Sequence, residues 1–79
     1  MNKSEFIKEF SEYCEFEESD IKLDTELKSI EGFDSMAILA IIAFADEKFG
    51  IKLPVVQIRS ATDIESLSKL LGINKFEDD

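Results

Sequence analysis

The longest uncharged apolar run in this sequence, Met36 to Ala45, constrains the chain more than any other feature. Its 10 residues are about half of the ~20 needed to span a bilayer, so the run belongs in a protein core. Composition favours a helix, because Met36 to Phe49 is dense in Ala, Leu and Ile. Asp34 is placed as its N-cap and Gly50 as the residue that ends it.

The remaining elements follow from periodicity and capping. Asn2 and Glu5 have capping-box spacing. At ~100° per residue, Phe6, Ile7, Phe10, Tyr13 and Cys14 share one stripe, opposite Glu5, Lys8, Glu9, Glu12 and Glu15. This predicts a first helix ending near Phe16. From Glu17 to Asp34 the periodicity fails, and Leu23, Leu27 and Ile30 are spaced as anchors that pin a long loop to a core. Pro54 suits the first turn of a short helix over Val55 to Ser60. Thr62 to Glu65 has capping-box spacing for a last helix through Leu71, with Gly72 as its stop. Residues 73–79 read as a polar tail that frays. The expected fold is all-α, with three longer helices, a short third helix and a long first loop, and residues 1–79 form one domain.

With 79 residues there is no length for two cores. Cys14 is the only cysteine, so no disulfide can staple this small core, and its thiol reads as a small core residue. Met1 to Glu12 alternates charge with apolar residues and lacks the apolar block of a secretory signal. The expected setting is the cytoplasm.

Net charge is −9, and 11 of the 18 acids precede Ser35. That balance argues against nucleic acid and anionic membrane, and for partners with basic docking surfaces. The plain alternative is a solvated acidic surface. Glu15, Glu17, Glu18 and Asp20 are the place for loosely held divalent cations, although no calcium-loop spacing or zinc cluster occurs. The chain has no His, and its three glycines are too isolated to cradle a phosphate. No catalytic residues are assigned.

One junction stands out. Gly32-Phe33-Asp34-Ser35-Met36 joins the long loop to the apolar helix. Ser35 therefore sits in a first turn, where N–H groups are unpaired and the helix dipole is positive. A phosphodiester on that hydroxyl would lie in a favourable anion site. The plain alternative is that Asp34 or Ser35 only caps the helix.

Gly32 to Met36 resembles the Gly-x-Asp-Ser-Leu phosphopantetheine attachment motif of acyl carrier proteins, with Met for Leu. Asp46 to Leu53 and Ala61 to Leu67 are similar to the family's later segments, so the resemblance spans nearly the whole chain. It implies that a phosphopantetheinyl transferase moves 4′-phosphopantetheine from coenzyme A to Ser35, with Asp34 contacting the transferase's metal. It further implies that the arm's thiol carries acyl groups as thioesters to partner enzymes of fatty-acid, polyketide or specialised pathways. The chain is then a non-catalytic monomeric carrier. Ala37 and Ala40 stand where housekeeping carriers place acids, which points to a discrete carrier of a specialised pathway. An aminoacyl carrier of the D-alanyl type shares the same serine, and an unmodified acidic helical interaction module is the alternative of another class.

By phase from Met36, Ile38, Leu39, Ile42, Ala45 and Phe49 should face the core, while Met36, Ala37, Ala40, Ala43, Phe44 and Glu47 gather opposite. Of these, Met36, Ala37, Ala40, Phe44 and Glu47 are the expected partner contacts, with Ile41 between the two sides.

Overall fold

The structure is a computed structural model and describes residues 1–77. Four α-helices make the fold: α1 (Lys3–Cys14), α2 (Ser35–Phe49), α3 (Val55–Ser60) and α4 (Ile64–Leu70). The long loop between α1 and α2 contains two single 3₁₀ turns, Glu18–Asp20 and Leu27–Ser29. Among the described residues there is no strand, and the only bridges are the isolated pairs Asn2 with Glu77 and Glu26 with Asp63. The chain is thus an all-α, acyl-carrier-like bundle. No helix among the described residues is long and apolar enough to cross a membrane.

Local chemistry sets the helix ends. Asn2 Oδ1 accepts from the Glu5 amide at 2.8 Å and opens α1. The helix closes at Cys14 rather than near Phe16, because Glu15 adopts the left-handed conformation (φ 58°) and the Phe16 amide turns back to the Ser11 carbonyl at 2.9 Å. Gly50 closes α2 the same way, at φ 66°, with Ile51 N–H donating to the Ala45 carbonyl at 3.1 Å. At α4 the cap is Asp63, not Thr62. Its Oδ1 accepts from the Ser66 amide at 2.8 Å and from the Ser66 hydroxyl at 2.7 Å. Those two bonds, the amide first, hold the Asp63 carboxyl below its ordinary range.

The first N–H groups of a helix have no partner within it, and at α4 the long loop supplies partners. Ile64 N–H donates to the Thr25 carbonyl at 3.1 Å and Glu65 N–H to the Leu23 carbonyl at 2.9 Å. In return, Leu27 N–H donates to the Thr62 carbonyl at 3.0 Å. Side chains reinforce the stitching. Leu27 is buried and Leu23 and Ile30 are half-buried, as expected of anchors, and Ile21 is a fourth, fully buried anchor.

The core is built on α1 and α2. Phe6 and Phe10 from α1 meet Phe44 from α2 at ring-centroid distances of 5.8 and 6.0 Å. Ile58 of α3, Ile64 and Leu67 of α4, and Leu71 just beyond α4 close it. Each fully buried side chain of this size contributes about 1.5–3 kcal/mol relative to exposure. Two polar contacts fix how α1 lies on α2: Lys48 Nζ to Glu9 at 3.1 Å and Tyr13 OH to Glu47 at 2.6 Å.

Two expectations need correction. The inward face of α2 is Ala37, Ile38, Ile41, Phe44 and Ala45, a stripe at three- and four-residue steps. Ala37 and Phe44 are therefore inside, and Leu39 is 58% exposed instead of buried. In the tail, Phe76 packs on Phe6 at 5.4 Å, Ile73 lies against the core and Glu77 pairs with Asn2. The fraying expected over 73–79 is not seen through Glu77, where apolar contact holds the segment. Residues 78–79 lie outside the described residues.

Candidate functional site

Gly32 starts the approach to α2. Phe33 N–H donates to the Ile30 carbonyl at 3.1 Å, closing a turn whose third residue, Gly32, has φ +88°. A Cβ there would meet only Phe16 Cε1 at 3.9 Å, so glycine is required by the backbone angle and not by crowding. The turn delivers Asp34 in extended backbone (φ −137°), and Asp34 Oδ1 accepts from the Ala37 amide at 3.1 Å. With Asp34 as cap, the hydroxyl of Ser35 is not needed for capping. Ser35 is exposed as the first residue of α2.

Ser35 lies on the rim of an open groove of about 590 Å³. Leu27 and Phe33 of the loop, Ile38 of α2, and Ile58 and Ala61 around α3 give it apolar walls. Lys28, Asp34 and Arg59 are its charged members. On another side of the α2 start, Met36, Leu39 and Ala40 border a hollow of about 460 Å³ with Tyr13, Cys14 and Glu15 of α1. The site thus combines an exposed hydroxyl, the positive end of a 15-residue helix and an adjacent apolar groove. The chain has no His that could act as a general base at that hydroxyl. A phosphodiester and a slender apolar chain both fit the chemistry present.

The residues expected at the partner face do not stay together. Met36 is 72% exposed, Ala40 is half-buried and Glu47 is exposed, but Ala37 and Phe44 are 4% and 0% exposed. Both belong to the core. Sequence reasoning also missed exposed apolar residues: Leu39 on α2, and Val55 and Val56 on α3. The signal for the latter was available, since a 6-residue helix anchored by Ile58 cannot bury all its apolar side chains. Lys28 and Arg59 were missed as groove residues because they come from segments distant in sequence.

The acids Glu15, Glu17 and Asp20 border a separate hollow with Glu31. Among the described residues, no three acids, cysteines or histidines converge in a way that could hold a metal ion, so the expected cation cluster has no preformed site. Cys14 is buried, and desolvation pushes its thiol up to about 12.

A family model described as "Phosphopantetheine attachment site" matches residues 4–71, which include Ser35 and the groove. A search of curated proteins and a search of solved structures each returned no match.

Proposed function

The chain belongs to the phosphopantetheine-attachment family, whose members hold 4′-phosphopantetheine covalently as non-catalytic carriers, and from that premise we propose that Ser35 is its attachment residue. The exposure of Ser35 at a helix start already capped by Asp34 carries this reading. Ser35 Oγ gives up its proton and bonds to the phosphorus of the phosphopantetheine moiety. The pyrophosphate linkage of coenzyme A breaks, and adenosine 3′,5′-bisphosphate leaves. Asp34 spends Oδ1 on the Ala37 amide, and its second carboxylate oxygen is available to the transferase's metal. The N-terminal dipole of α2 favours the new negative charge beside it.

When attached, the arm supplies a terminal thiol that holds cargo as a thioester. Cargo of the acyl type is supported by the apolar walls of the groove at Ser35, which suit a hydrocarbon chain. Residues 1–79 act as one monomeric cytoplasmic carrier domain serving a fatty-acid, polyketide or more specialised pathway. Its partners are the transferase and acyl-loading and acyl-transfer enzymes. These dock on exposed Met36 and Leu39 and half-buried Ala40 of α2, beside Ser35, and their surfaces are apolar or basic. Intact mass of the protein isolated from its own cells tests the reading. One covalent arm with acyl cargo is expected. An unmodified chain would favour an acidic interaction module, and an arm bearing an amino acid would favour an aminoacyl carrier.

A further inference from the structure

Acids outnumber bases 18 to 9 in this chain, and most of its bases enter no ion pair among the described residues, so position and not the lack of a partner singles out two of them. Four ion pairs occur among the described residues, and they engage the N-terminus, Lys48, Lys52 and Lys69. Lys28 and Arg59 enter none of them, yet both line the groove at Ser35. Asp34, the one acid of that groove, has its Oδ1 engaged by the Ala37 amide. The groove's charged side chains are thus two cations and one carboxylate, on a protein of net charge −9.

The backbone under both cations is fixed. Lys28 follows Leu27, which is 1% exposed, and Arg59 follows Ile58, which is 0% exposed. The Leu27 N–H to Thr62 carbonyl bond, 3.0 Å, ties the turn that carries Lys28 to the segment just beyond Arg59. Two long, exposed side chains outside the four ion pairs thus stand on anchored supports in the groove that Ser35 also lines. A guanidinium fork and an ammonium both suit phosphate oxygens, the first with two parallel donors and the second as a point charge.

We propose that Lys28 and Arg59 hold the phosphodiester of the arm on Ser35, from opposite segments, and so lay the arm along the apolar groove instead of leaving it free in solvent. This rests on Ser35 being the attachment residue. The occupant is the chain's own arm, chosen by charge: a monoanion fixed to Ser35 meets two cations of the same groove. In this role the two are positioning residues. They offset the repulsion that a further negative charge meets on an acidic protein, and they bias where the cargo starts its path.

The test compares wild type with the Lys28→Gln, Arg59→Gln double variant, both loaded from coenzyme A, with the arm verified by intact mass. Both side chains are exposed, so the variant should fold. The phosphorus resonance of the phosphodiester is followed by NMR as sodium chloride rises from about 0.01 M to about 1 M, which shortens the screening length from about 30 Å to about 3 Å. In wild type the resonance should move and sharpen as the contacts are screened, and in the variant it should start near the high-salt position and stay there. Loading should also lower the melting temperature at low salt in the variant more than in wild type. The same salt response in both loaded proteins overturns the inference and leaves the attachment reading intact. A wild type that takes up no arm overturns both.

Discussion

Tyr13 on α1 donates its phenolic hydrogen to Glu47 Oε1 on α2 across 2.6 Å, close to the Lys48–Glu9 pair that joins the same two helices. The bond to Glu47 raises the phenol above its ordinary value of 10.0, with desolvation and the charge of Glu47 adding in the same direction. The chain has one tyrosine, so phenolate absorbance reports Tyr13 alone. Its midpoint should lie above that of the unfolded chain, and Glu47→Ala should lower it toward the unfolded value. Since the folded value is the higher one, the contribution to stability is complete below pH 10 and is lost as pH rises through the folded midpoint. An unchanged midpoint in Glu47→Ala would remove the bond from the account.

Phe44 and Leu39 should behave in opposite ways. Phe44 is enclosed by Phe6, Phe10, Tyr13 and Phe49 at centroid distances of 5.1 to 6.0 Å. Phe44→Ala should cost about 3–5 kcal/mol in urea unfolding, the range for emptying an aromatic core position. Leu39→Ala removes an exposed side chain and should change stability by no more than about 0.5 kcal/mol. If α2 is the docking face, the same variant should weaken transfer to a cognate enzyme by on the order of 1 kcal/mol. Normal transfer kinetics in both Leu39→Ala and Met36→Ala would move docking elsewhere, with exposed Val56 on α3 next to test.

These two residues also show how far the sequence could be read. The ends of α2 were legible because Asp34 and Gly50 act within one turn of their own position. The inward face was not. Ser35 to Ala45 carries no charge, so the helix is apolar around most of its girth and has no polar side to set the phase. Contact with Phe6 and Phe10 decides it, and those are neighbours only in space. At α4 the capping-box spacing pointed to Thr62, but the cap is its neighbour Asp63, and bonds from the loop to Thr62, Ile64 and Glu65 accompany that register one residue later. Ser35 itself was visible as a local motif. Its groove joins residues 27–38 to residues 58–61, a juxtaposition that periodicity does not encode.

Cys14 offers a probe of the core. Burial pushes its thiol up to about 12, and the thiolate is the reactive form. In the folded protein a thiol-reactive disulfide reagent at pH 8 should label Cys14 only as fast as the chain opens, and urea should raise the rate in step with unfolding. The neutral thiol is favoured in the fold, so its contribution to stability is intact below its ordinary value of 9.0 and declines as pH rises toward about 12. Rapid labelling in native buffer would contradict the burial of this position.

The central claim is that one hydroxyl, on Ser35, accepts the arm. Wild type and Ser35→Ala should be incubated side by side with coenzyme A and a broad-specificity transferase, and their intact masses compared. Asp34 supplies the cap, so Ser35→Ala should keep its helical content and change stability by no more than about 0.5 kcal/mol. The account predicts one phosphopantetheine on wild type and none on the variant. A folded Ser35→Ala protein that still gains the arm, or an arm mapped to any of the other seven serines, would contradict it.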